Sequence, residues 1–163
     1  MSNKFDFGLL ASNALISDDG NYRYWLHRRW SEEGKIITFL CLNPSTADHK
    51  SDDQTIRKCT RFAKKWGGSQ LAVVNLFAFR STDPANLRSA VDPIGLENDI
   101  WLEKIIDSSD IIVAAWGTHG CYLNRNEQIL NKYNGKLHAL RLTKDGHPSH
   151  PLYLPENLEP FVL

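Results

Sequence analysis

Ile36-Ile37-Thr38-Phe39-Leu40-Cys41-Leu42 runs without a break into Asn43-Pro44-Ser45-Thr46, and the architecture of the chain is read outward from here. An apolar run of that length, entered from Gly34, reads as a strand buried on both faces, since a strand with one wet face would alternate. The Asn-Pro pair ends it abruptly. From Asp53 to Trp66 the spacing becomes helical, with Ile56, Cys59, Ala63 and Trp66 on one face. Arg57, Arg61, Lys64 and Lys65 fall on the other side, and Gly67-Gly68 stops the helix.

The same unit recurs toward the C-terminus. Leu71 to Phe77 reads as a second buried strand, followed by a polar loop around Ser81-Thr82-Asp83-Pro84 and a helix from about Leu96 to Ser108. Ile111 to Trp116 is a third strand, ending in Gly117-Thr118-His119-Gly120 before a helix near Tyr122 to Tyr133. Leu137 to Leu142 is a fourth, leading into the polar run 143–151 and an extended, proline-rich tail. Upstream, Tyr22 to Trp30 alternates large and polar residues after the turn Asp18-Asp19-Gly20-Asn21, which predicts an edge hairpin whose first arm lies near Asn13 to Ser17. Arg23, Arg28 and Arg29 on that hairpin read as guards of an exposed edge. Strand alternating with helix predicts an α/β domain: a three-layer α/β/α sandwich on a four-stranded, mostly parallel sheet. Residues 1–33 are a hairpin extension and 34–163 the core, with no linker or repeat between them.

Composition narrows the function classes. Lysine plus arginine equals aspartate plus glutamate, 19 each, so no global basic field marks the chain as a nucleic-acid binder, although a local patch is compatible with that balance. Cys41, Cys59 and Cys121 match neither a disulfide framework nor a metal spacing, and the first two read as core thiols. Met1 to Leu10 lacks the apolar stretch of a signal peptide, and no run is long enough to span a bilayer. A reducing cytoplasm and no membrane partner are expected. No strand is followed by G-x-G-x-x-G or by a P-loop, so dinucleotide and nucleoside-triphosphate folds lose their main support.

In a parallel α/β sheet the ligand crevice lies beyond the carboxyl ends of the strands. Here those ends carry Asn43, Ser45, Thr46 and Asp48; Asn75 and Arg80; Trp116, Thr118 and His119; and Lys144, Asp145, His147, Ser149 and His150. Each has a plainer reading. Asn43 to Thr46 also suits a turn leading to a helix cap, and Asn75 within an apolar run also suits an amide bonded to nearby backbone. His119 between glycines, and His147 to Pro151, also suit exposed turns. Polar residues on four separate strand ends favour a shared site.

The runs LNPSTAD (42–48), DDQTIRKC (52–59), VVNLFAFRSTDP (73–84), AAWGTHG (114–120) and LTKDGHPSHPLYLP (142–155) identify a resemblance to the family of domain of unknown function 1643. More remotely, their order is similar to the uracil-DNA glycosylase superfamily. Cys41-Leu42-Asn43-Pro44 takes the place of that superfamily's first loop, and Asn75 that of its base-reading asparagine. Trp116-Gly117 matches the turn after its third strand, and His147-Pro148-Ser149-His150-Pro151-Leu152 its last motif. Cys41 in place of a glycine and the inserted His150 depart from the pattern.

The resemblance implies hydrolysis of a base–sugar N-glycosidic bond in nucleic acid, without metal or organic cofactor. Asn43 would position the water, and His147 would donate to the departing base. Asn75 would read the base's edge, with Phe77 or Phe79 stacked on its face. Ser45, Ser149 and Lys144 would hold phosphates, with Asp48, Trp116, His119 and His150 completing the substrate surface. Asp48, Asp52 and Asp53 complicate that picture, because carboxylates repel a phosphate backbone and also offer a general base. An enzyme acting on a small nucleotide, nucleoside or modified base, and a noncatalytic nucleobase-binding module, are the alternatives.

Overall fold

The apolar run 36–42 supplies β3 (Lys35–Cys41), the centre of a sheet, with parallel neighbours on both sides. The structure, a computed structural model, describes residues 4–163, so the first three residues of the N-terminal extension lie outside it. The neighbours of β3 are β4 (Gly68–Asn75) and β5 (Ile111–Ala114), and β6 (Leu137–Ala139) continues the parallel set beyond β5. The four expected parallel strands are therefore present, but the sheet is larger. β1 (Ser12–Ile16) and β2 (Arg23–Arg29) add to it beside β4, and β7 (Phe161–Val162) beside β6, giving seven strands in the order β1-β2-β4-β3-β5-β6-β7. All three added strands pair antiparallel. β7 leaves no periodic trace in the sequence because it is two residues long and exposed.

Side-chain alternation sends the parallel strands into two cores. Ile37 and Phe39, with Leu71, Val73 and Val113, pack against Ile56, Cys59, Phe62 and Ala63 of α1 (Gln54–Lys65). On the opposite face Leu40, Ala72, Val74, Ile112 and Ala114 meet Leu102, Ile105 and Ile106 of α2 (Asn98–Ser108) and Ile129 of α3 (Arg125–Lys132). The result is a mixed α/β domain with helices on both faces of one sheet. Among the described residues, no helix is long and apolar enough to cross a membrane.

Local chemistry sets the limits of α1. The Asp53 Oδ1 accepts the Ile56 N–H at 2.9 Å and caps the first turn, while Lys64 and Lys65 stand at the negative end of the helix dipole. The chain then passes so close beneath α1 that a Cβ on Gly68 would lie 2.7 Å from the Ala63 carbonyl oxygen. Only glycine fits there.

Three expectations need correction. The helix expected near Tyr122 begins at Arg125, because residues 118–124 form a 3-10 segment with Leu123 and Asn124 at φ 53° and 58°. The fourth strand stops at Ala139 rather than Leu142, since 141–149 folds into a tight hairpin. In it the Ser149 N–H donates to the Arg141 carbonyl at 2.9 Å and the Thr143 N–H to the His147 carbonyl at 2.7 Å. Finally, β2 is not bounded by edge-guarding arginines at Arg23 and Arg28, which are 2% and 8% exposed. Arg28 fills the loop before α1, pairing with Asp52 at 2.8 Å and donating to the Asp48 carbonyl at 2.5 Å.

His27, fully buried on β2, stacks on Phe7 with ring centroids 4.1 Å apart. Its Nε2 meets the Gln70 Oε1 at 2.8 Å, so Nε2 carries the proton and Nδ1 is buried without a partner. Burial holds its pKa below the ordinary value of 6.5 despite the Gln70 bond. The unfolded chain therefore takes up this proton before the folded one does, and stability present above pH 6.5 is lost as the pH falls toward the lower folded value. Thermal melts across that window should show the loss, and His27→Phe should flatten it. An unchanged slope in the variant would place the acid sensitivity elsewhere.

Candidate functional site

The loops at the carboxyl ends of the parallel strands enclose a cavity of about 430 Å³, within the size range of small-molecule sites. The end of β3 brings Asn43 and Ser45, the end of β4 Asn75, and the end of β5 Trp116, Thr118 and His119. His150 enters from the segment after β6. The capped first turn of α1 closes one side with Asp53, Thr55 and Ile56, and Arg23 reaches in from β2.

Six of the twelve residues to which the resemblance gives a role thus share the wall, namely Asn43, Ser45, Asn75, Trp116, His119 and His150, and Thr118, also named at a strand end, joins them. The other six do not line it. Asp48 is turned to its own loop, where Oδ1 accepts the N–H groups of Lys50 and Ser51, each at 2.8 Å; those bonds hold its pKa below the ordinary carboxylate value. Phe77 is wholly buried in the α2-side core against Tyr122, and Phe79 packs edge-on to Tyr22. Lys144, His147 and Ser149 belong to the 141–149 hairpin, where the Thr143 Oγ1 accepts the His147 N–H at 3.1 Å. Because that hairpin turns back at Gly146, with φ 86°, the chain delivers His150 rather than His147 to the cavity.

Unpaired buried polar groups gather at this cavity. Among the described residues, eight buried side-chain nitrogen or oxygen atoms have no hydrogen-bond partner, and four belong to wall residues: both amide atoms of Asn75, the Arg23 Nε and the Trp116 Nε1. Buried polar atoms are rarely left unpaired, because each costs about 1–3 kcal/mol of lost hydration. Asn75 is 1% exposed and sits on the α1 face of β4, two residues beyond Val73. The backbone behind it is held rigidly. Asn98 Nδ2 donates to the Asn75 and Leu76 carbonyls at 3.0 and 3.1 Å, and buried Arg125 adds two further bonds to Leu76 at 3.1 and 2.9 Å. Trp116 is held by Gly120, where an added Cβ would meet the indole Cδ1 at 2.3 Å.

Asn43 is oriented through its nitrogen alone. Its Nδ2 donates to the carbonyls of Pro44, Phe79 and Ser81 at 3.2, 3.4 and 3.0 Å, and Oδ1 takes no part in those bonds. The Arg23 Nη1 donates to the Ala47 carbonyl at 2.9 Å. Burial pushes this guanidinium down to about 10, opposed by the Asp53 carboxylate, and it stays charged at neutral pH. His150 is exposed at its surface, yet the protein packed around its ring lowers its pKa against the opposing pull of Asp53. Its Nδ1 accepts the Leu152 N–H at 3.3 Å, so in the neutral ring the proton resides on Nε2. A buried cation, a carboxylate, a neutral imidazole and two amides therefore share one small space. No group of three or more His, Cys, Asp or Glu side chains placed to hold a metal ion occurs among the described residues.

Arg23 was not legible as a site residue, and Asp53 was so only as one of three carboxylates that offer a general base. Arg23 sits on β2, beside the parallel set, in a hairpin whose arginines read as edge guards. One signal does point to Asp53: α1 follows β3 directly, and the first turn of a helix after a strand in such a sheet faces the crevice.

Comparison with known proteins gives one match, to a family model described as protein of unknown function (DUF1643), over residues 23–152. No curated protein and no solved structure matches the chain. The matched span runs from Arg23 to the segment just beyond His150, and so contains every residue of the cavity wall. The chain belongs to the DUF1643 family.

Proposed function

We propose that the cavity binds a nucleobase and that the protein hydrolyses the base–sugar N-glycosidic bond. The observation that carries this reading is Asn75: a rigidly backed, buried amide, lacking partners for both its donor and its acceptor, on the cavity wall. Such an amide complements a base edge that presents an acceptor beside a donor, and ligand binding would supply the bonds the fold withholds. The order of the loop motifs, similar to that of the uracil-DNA glycosylase superfamily, supports the same reading.

The chemistry follows from charge. As the C–N bond breaks, its electron pair leaves with the base, and positive charge develops on the sugar. The His150 Nε2–H would donate to the departing base, a role the motif comparison alone would give to His147. The Asp53 carboxylate would stabilise the sugar cation and accept a proton from the attacking water, which the Asn43 Oδ1 would orient. The water's oxygen ends on the sugar as a hydroxyl that keeps one of its protons, while the other passes to the Asp53 carboxylate and is returned, by way of solvent, to the departing base. Incubating the protein with nucleosides and with oligonucleotides carrying normal and altered bases, and assaying released base by chromatography, tests the proposal. Base release is expected, lost in His150→Ala and kept in His147→Ala. Release by neither wild type nor variants from any substrate would overturn it.

A further inference from the structure

Resting on the nucleobase reading above, we infer that the substrate is a neutral nucleoside rather than a nucleotide or a nucleic-acid strand. A phosphate needs cationic donors beside the site, and a strand needs several along a groove. Among the described residues, Arg23 is the only lysine or arginine on the cavity wall, and its charge is opposed by Asp53 on the same wall.

The arginines flanking the cavity are engaged by the protein itself. Arg80 donates to the carbonyls of Ser45, Gly20 and Thr46 at 3.3, 3.2 and 3.4 Å, tying the loop after β3 to the hairpin turn. Arg28 is saturated by Asp52 and backbone carbonyls, and Arg57 donates to the Asp52 carbonyl at 3.2 Å. Lys144, expected from the sequence to meet phosphate, lies in the 141–149 hairpin and not on the wall.

In place of cations, the wall presents hydroxyls. Ser45, Thr55, Thr82 and Thr118 all line the cavity, and none of their side-chain oxygens bonds to another described residue. Uncharged groups that both donate and accept complement the hydroxyls of a sugar, whereas a phosphate dianion would face them beside Asp53 without an added counter-charge. The volume of about 430 Å³ suits one such ligand and not a strand.

Isothermal titration of the full chain with free bases, nucleosides, their 5′-monophosphates and a single-stranded oligonucleotide, at low and high salt, decides the matter. At least one nucleoside should bind, with its 5′-monophosphate weaker by about tenfold or more and its own affinity insensitive to salt. A monophosphate or oligonucleotide that binds more tightly than the nucleoside, and weakens with salt, would overturn the inference and leave the nucleobase reading standing. A free base that binds as tightly as its nucleoside would overturn it too, because the hydroxyls would then be idle. If no ligand in the panel binds, both the inference and the reading fall.

Discussion

Asn75→Leu is expected to unfold at a higher temperature than the wild-type protein and to bind no nucleoside. Asparagine and leucine branch at the same atom, and the larger leucine methyl groups have the cavity to project into, so the substitution little disturbs the packing behind β4. It removes two buried polar atoms that have no partner, and with them a desolvation cost of about 1–3 kcal/mol. Apolar contact with Val73 and Ile56 on the same wall replaces them. A gain of about 1 kcal/mol corresponds to a rise of roughly 2–4 °C in a chain of this size. Thermal unfolding measures the first effect and calorimetric titration the second. The pairing of outcomes is what matters: an amide retained for structure would lose stability on substitution, whereas one retained for a ligand gives stability back. A lower melting temperature with binding intact would remove Asn75 from the site.

Turnover in Asp53→Asn is expected to fall by roughly two to three orders of magnitude while the protein stays folded, the usual scale for losing one group that stabilises transition-state charge. The two roles of Asp53 separate in this variant. Asparagine caps a helix about as well as aspartate, so the bond to the Ile56 N–H survives and α1 keeps its first turn. What disappears is the negative charge, both toward the developing sugar cation and toward Arg23. Asp53→Ala removes the cap as well and should melt lower than Asp53→Asn by an amount equivalent to about 1 kcal/mol. Steady-state kinetics of base release and thermal melts of both variants test the separation. Unchanged turnover in Asp53→Asn would confine the residue to its capping role.

The contrast between these two residues shows how far local reasoning extends. Asn75 stands out in the sequence because an amide interrupts Leu71 to Phe77, where the pattern demands an apolar side chain, and a period of two then places it on a definite face. Asp53 also stands in plain view, but as one of three neighbouring carboxylates, with nothing local to single it out from Asp48 and Asp52. Arg23 is harder still. Alternation in Tyr22 to Trp30 reads as a half-exposed edge, yet β1 and β4 flank β2 on its two sides, and Arg23 turns into the cavity, where it is buried and donates to the Ala47 carbonyl. The histidines reverse order for a similar reason. His147 opens the motif that the sequence comparison favours, but the 141–149 hairpin absorbs it and brings His150 to the cavity.

The parallel strands, the three helices in outline and the meeting of four loops at one end of the sheet are readable from the amino-acid sequence alone. Each of those depends on hydrophobic period, turn chemistry or the handedness of strand–helix–strand connections, which act over a few tens of residues at most. The seven-strand extent of the sheet, the opposed charges of Arg23 and Asp53 at one cavity and the polar atoms left unpaired are readable only from the folded chain. Those are outcomes of burial, and the burial of any one atom depends on what distant segments bring against it.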